Sequence, residues 1–160
     1  MKIPVHFPGG ACVSARVGHH VVTTDQPPAG GGNGSAPAPF DLFLSSIATC
    51  AGLYALRFCQ NRQIPTEGLA LELETLPVGP GPVTGARLHL TLPPGFPPQY
   101  QDAIGRAVGQ CAVKRVMELP MKFEILTRAA DAPQRRPEDI PSERSLELVG
   151  ESTAREDVVP

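Results

Sequence analysis

Long apolar runs are missing from this chain: none approaches the roughly 20 residues that a membrane-spanning helix needs. The first residues, Met1-Lys2-Ile3-Pro4-Val5-His6, lack the hydrophobic stretch of a secretory signal. A cytoplasmic location with a reducing thiol pool is therefore expected, and no membrane partner is. Charge of one sign is missing too. Fourteen basic residues against sixteen acidic ones leave a formal net charge of −2, which predicts no polyanion-binding face and no nucleic-acid partner. The glycine-rich stretch Gly30-Gly31-Gly32-Asn33-Gly34 has neither the GK[ST] ending of a P-loop nor GxGxxG spacing, which argues against nucleotide binding. The four cysteines, at positions 12, 50, 59 and 111, include no CxxC pair. That argues against a zinc knuckle and a thioredoxin-type motif, and no metal or cofactor is expected. A reactive cysteine or a widely spaced redox pair stays open.

What is present is a chain of 160 residues, long enough for one domain with a real core. Its 16 glycines and 19 prolines divide it into segments. Residues 11–17 and 20–24 alternate loosely about a turn at Gly18, the pattern of a hairpin. Residues 40–60 read as a buried helix, with Pro37 and Pro39 at its start and Asp41 in its first turn, where a carboxylate offsets exposed N–H groups. Residues 69–75 and 86–92 put leucines on one side of two half-buried antiparallel strands. A second helix is predicted over 99–118, closed by Pro120, and a last strand over 123–126. Residues 1–127 form the expected domain. Residues 128–160, with five basic and eight acidic residues and few apolar ones, read as a charged tail, partly mobile or docked.

Cysteine is by habit a small buried hydrophobe. Cys59 lies nine residues after Cys50, half a turn out of phase on a helix, so the two cannot share a face. Cys12 falls in a strand pattern with no base beside it. Cys50 sits among the small residues Ala48, Thr49, Ala51 and Gly52, which permit close approach by another helix; Arg57 is nearly in phase but about 10 Å along the axis. Cys111 has Lys114 and Arg115 at i+3 and i+4 on the predicted helix, and nearby cations favour thiolate over thiol. A thiolate attacks the O–O bond of a hydroperoxide to give a sulfenic acid, and a second thiol condenses with it to a disulfide. Periodicity alone does not show that Cys50 and Cys111 meet.

Two segments carry a resemblance. Residues 31–50 present a GG loop, a proline, the acidic Asp41 with Leu42, and a helix of small residues ending at Cys50; residues 111–116 read Cys-Ala-Val-Lys-Arg-Val. Together these resemble the OsmC/Ohr superfamily, in its divergent OsmC-like branch, over roughly residues 5–127. The resemblance implies an α+β fold in which antiparallel sheets wrap two central helices, and an intertwined homodimer with sites near the interface. It also implies Cys50 as peroxidatic thiol, Cys111 as resolving thiol, organic hydroperoxides as substrates and a dithiol as reductant. Relatives pair the reactive cysteine with an arginine and a glutamate. Arg16 is the arginine of the N-terminal strands here; Phe40 occupies the position matching the glutamate, and Asp41 beside it matches the acidic residue of the divergent branch. Ala112 stands where many relatives have proline. The competing expectations are a non-enzymatic member of the same fold that binds a small molecule in an interface pocket, and a hydrolase using Cys50 with His19 or His20 as base.

Overall fold

Alternation and turn chemistry build the first sheet. The structure, a computed structural model, describes residues 1–77, 81–119 and 121–129. Strands β1 (Val5–Gly9), β2 (Cys12–Val17) and β3 (His20–Thr24) form an antiparallel meander. The expected hairpin is β2–β3, and β1 adds a third strand that the loose N-terminal pattern did not reveal. Val17 pairs with His20, so Gly18 and His19 are a two-residue turn, and Gly18 takes a φ of 61° that an L side chain resists. The strong packing of these strands is with one another, and Phe7 and Val21 stay exposed.

Helix α1 (Pro39–Gln60) starts where proline and carboxylate predict: Pro39 is its first residue, and Asp41 Oδ2 accepts the Ala38 N–H at 3.1 Å. Its 22 residues are long and apolar enough to cross a membrane by length and composition, which the sequence-based expectation did not anticipate. One face, through Ala51, Ala55, Phe58 and Cys59, instead supplies much of the protein core. Strands β4 (Ala70–Leu76) and β5 (Gly85–Thr91) pair antiparallel with Leu71 opposite Leu90 and Leu73 opposite Leu88. Leu71, Leu88 and Leu90 pack against the core cluster, whereas Glu74 on the other face holds Arg87 at 2.6 Å and His89 at 3.2 Å. A period of two thus separates core from solvent.

The second predicted helix is broken. After a 3-10 turn at Pro98–Tyr100 come α2 (Gln101–Gly109) and, beyond a gap at Gln110 and Cys111, α3 (Ala112–Met117). Cys111 has φ −47° and ψ 122°, outside helical geometry, and is the N-cap of α3. Gly109 is a poor helix former, and Cys111 is buried with its thiol toward the Ile47 carbonyl of α1, so tertiary packing overrides the run. Ile104, Val108 and Cys111 still reach the core with Phe96 and Ile64.

Met1–Lys122 forms one compact unit, and Phe123 begins a second, of which residues 123–129 are described. The strand predicted over 123–126 is absent: the segment is irregular, with Phe123, Ile125 and Leu126 exposed. A strand needs a neighbour for its ladder of N–H and C=O groups, which apolar alternation by itself does not supply. The charged segment predicted over 128–160 lies, from residue 130, outside the described residues. The chain is a mixed α and β protein with antiparallel sheets.

Candidate functional site

The route into α1 is fixed by a carboxylate that the sequence patterns did not single out. Asp25, at the end of β3, is buried and accepts N–H bonds from Gln26 (2.8 Å), Asn33 (3.1 Å) and Ser35 (3.0 Å) and the Ser35 hydroxyl at 2.8 Å. Ser35's N–H and hydroxyl are the main reason its pKa is held down to about 2. The glycine-rich loop therefore binds an internal anion. At Gly32 a Cβ would lie 2.0 Å from the Gln26 carbonyl oxygen and 2.5 Å from Asp25 Oδ1, so glycine is required there. The signal in sequence was an aspartate leading a Gly/Asn/Ser loop, the setting of side-chain-to-backbone turns.

Cys50 and Cys111 meet. They come from the middle of α1 and the N-cap of α3, and their thiols are near enough for each to shift the other's ionisation. Both are free thiols; Cys50 is half-buried and Cys111 fully buried. The helix break creates this contact. By starting α3 afresh at Ala112 it frees N–H groups that a continuous helix would have spent on its own ladder. The Val113 N–H, then the Cys111 thiol, then the Ala112 N–H pull the Cys50 pKa below the ordinary thiol value. For Cys111 the balance goes the other way. Burial pushes its thiol up most; the Lys114 N–H is the main opposing influence, the neighbouring Cys50 adds to the rise, and the Val113 N–H opposes it least. The Cys111 S–H also lies 3.9 Å from the Ile47 carbonyl oxygen. One sulfur is thus prepared to carry charge and its neighbour to keep a proton.

Lys114 and Arg115 do not act as predicted from helical spacing. Lys114 reaches Cys111 through its backbone N–H, while its ammonium pairs with Glu118 at 2.7 Å. The other candidates lie elsewhere. Asp41 caps α1 nine residues before Cys50, on the opposite side of the helix and about 13 Å along the axis. Arg16 stands on β2 opposite Val21, and the downward shift of Cys50 comes from α3 and Cys111 rather than from Arg16. His19 and His20 are exposed at the β2–β3 turn. Cys59 is a core thiol whose pKa is raised by burial. Among the described residues, no group of three or more His, Cys, Asp or Glu side chains could hold a metal ion.

Beside the thiols runs an apolar cleft of about 560 Å³, formed by Phe43 of α1, by Ala112, Val113, Val116 and Met117 of α3, and by Leu119 and Met121 beyond it. Ala112 and Val113 join the two features: their N–H groups face the Cys50 sulfur while the residues line the cleft.

The model of the OsmC-like protein family matches residues 31–126, which span both cysteines. The chain belongs to the OsmC-like family. Among solved structures, it resembles a protein of Psychrobacter arcticus described as an osmotic stress induced and detoxification response protein. That likeness has a TM-score of 0.61 at 20% identity, over 72% of this chain and 87% of that one. An organic hydroperoxide resistance protein of Legionella pneumophila aligns with a TM-score of 0.47 at 20% identity, over 73% of this chain and 89% of that one. A Vibrio cholerae protein, described as an organic hydroperoxide resistance protein with captopril in one of its active sites, aligns with a TM-score of 0.44 at 17% identity, over 73% and 84% of the two chains. The sequence matches no curated protein. The OsmC-like fold accounts for the two antiparallel sheets and for the packing of α1 against α2 and α3.

Proposed function

We propose that this OsmC-like protein reduces organic hydroperoxides with Cys50 as peroxidatic and Cys111 as resolving cysteine. The observation that carries the proposal is the meeting of two free thiols, half-buried Cys50 on α1 and buried Cys111 at the N-cap of α3, with Ala112 and Val113 leading into an apolar cleft; their opposed shifts in pKa agree with it. The Cys50 thiolate attacks the distal peroxide oxygen: an S–O bond forms, the O–O bond breaks, and the alkoxide leaves as alcohol on taking up a proton. Cys50 is then a sulfenic acid. The Cys111 sulfur attacks it, an S–S bond forms, and hydroxide leaves with the Cys111 proton as water. A dithiol returns the disulfide to two thiols by exchange and is itself oxidised. The apolar cleft beside Cys50 supports an organic rather than an inorganic peroxide, because it can bury the hydrocarbon part. In place of an arginine–glutamate pair, the Val113 and Ala112 N–H groups are the activating donors, with Asp41 a helix cap and Arg16 a candidate for substrate contact from a partner chain.

A homodimer belongs to the same proposal. Phe7, Val5 and Val21 on the first sheet and Phe40 and Leu53 on α1 are exposed apolar side chains that a second copy would cover. The cytoplasm, with its dithiol pool, is the matching compartment.

The test is to treat the reduced protein with cumene hydroperoxide and follow free thiols and intact mass. The parent should form a Cys50–Cys111 disulfide with loss of two hydrogen atoms, its two electrons passing to the hydroperoxide. Cys111→Ser should stop at oxidised Cys50, and Cys50→Ser should leave Cys111 reduced. Survival of all thiols in excess hydroperoxide would rule the proposal out and favour the cleft as the site of a purely ligand-binding protein.

A further inference from the structure

The chain has three methionines, and two of them, Met117 and Met121, line the cleft beside the thiols. The third, Met1, lies outside it and is far more exposed, at 99% against 50% and 62%. We propose that Met117 and Met121 are a second, slower oxidation site for hydroperoxide held in the cleft, and that their sulfoxides close the cleft to apolar ligand. This rests on the cleft as the place where the organic hydroperoxide binds.

The chemistry needs nothing beyond that substrate. A thioether lone pair attacks the distal peroxide oxygen, an S–O bond forms, the O–O bond breaks, and the peroxide proton passes to the alkoxide. The products are methionine sulfoxide and alcohol, sulfur having lost two electrons and the peroxide having gained them. A thioether reacts far more slowly than a thiolate, so Cys50 takes the first equivalents. The methionines react when Cys50 is occupied as a disulfide or oxidised further. Each sulfoxide replaces a soft apolar surface by a strong dipole and acceptor. The cleft has only apolar side chains, Phe43, Val113, Val116 and Leu119 among them, to set against it. An apolar ligand then loses its contact surface, and turnover stops under an oxidant load that outruns the reductant. Reduction of the sulfoxides by a dithiol, which becomes a disulfide as the oxygen leaves as water, would restore the site.

Met1 is an internal control, because free collision favours it and cleft binding favours the other two. The Cys50→Ser protein is exposed to cumene hydroperoxide and, separately, to hydrogen peroxide, each until Met1 is oxidised to the same extent, and sulfoxide is mapped by peptide mass. The ratio of Met117 and Met121 oxidation to Met1 oxidation should be several-fold higher with cumene hydroperoxide, and excess cumyl alcohol should pull it down. Equal ratios with the two oxidants would overturn the inference. The parent protein separates the two proposals. A Cys50–Cys111 disulfide with equal ratios sinks only the methionine site, whereas raised ratios without a disulfide keep the methionine site and sink the peroxidase.

Discussion

At the scale of single residues, the site depends on which backbone donors a sulfur meets. The lowered pKa of Cys50 predicts that its alkylation by iodoacetamide titrates below the ordinary thiol value of 9.0, while Cys111 titrates above it. Ala112→Pro tests the donor assignment cleanly. Proline is welcome at the first position of a helix, and Cys111 already has the ψ of 122° that a residue before proline prefers. The substitution should leave the fold intact or stabilise it by about 0.5–1 kcal/mol. By removing one N–H from Cys50 it should move the alkylation midpoint upward, by less than loss of the Val113 donor would. Asp25 gives a second residue-scale prediction. Its folded pKa of about 2 lies below the ordinary 3.8, so its contribution to stability is complete above the unfolded value and is lost as pH falls through about 2. Acid unfolding followed by circular dichroism should flatten over that window in Asp25→Asn. The two cysteines were legible in the sequence through the resemblance and through their small neighbours. Asp25 was not, since its importance lies in four donors brought from residues 26 to 35, and no periodic pattern records a loop folding back on a carboxylate.

At the scale of elements, the informative feature is the interruption between α2 and α3. The 4-3-4 spacing of Ile104, Val108, Cys111 and Arg115 is a true helical spacing, and the first two residues do face the core from α2. What the spacing could not show is that Cys111 is drawn in against Ile47 and that the chain restarts behind it. Gly109 was the available cue, a poor helix former next to the break. The strands β4 and β5 were legible to within a residue, because their leucines alternate and the register follows from one buried face. The strand predicted over 123–126 failed for the complementary reason: alternation states which face would be buried, not whether a neighbour exists. Since α2 delivers the segment that carries Cys111, packing along it should control the site. Ile104→Ala, at a position 1% exposed, should cost about 2–5 kcal/mol in urea unfolding. It should also blunt the difference between the two thiols in alkylation.

At the scale of the whole molecule, the proposed dimer gives the largest testable effect. Sedimentation equilibrium should return twice the mass of one chain, and Phe7→Glu, which places a charge on a side chain now 76% exposed and apolar, should shift it toward one. The OsmC-like fold itself was legible from the two cysteine segments with the strands between them; the homodimer entered only as what the resemblance implies, because a single chain's pattern does not distinguish an apolar face turned to solvent from one awaiting a copy. The first sheet carries a consequence of its own. Among the described residues its strong packing is among its own three strands, so a second copy would add much of what secures it if the dimer forms. Foldedness would then obey mass action. Diluting the protein should lower its melting temperature, and a cell making little of it would hold a smaller native fraction as well as fewer copies.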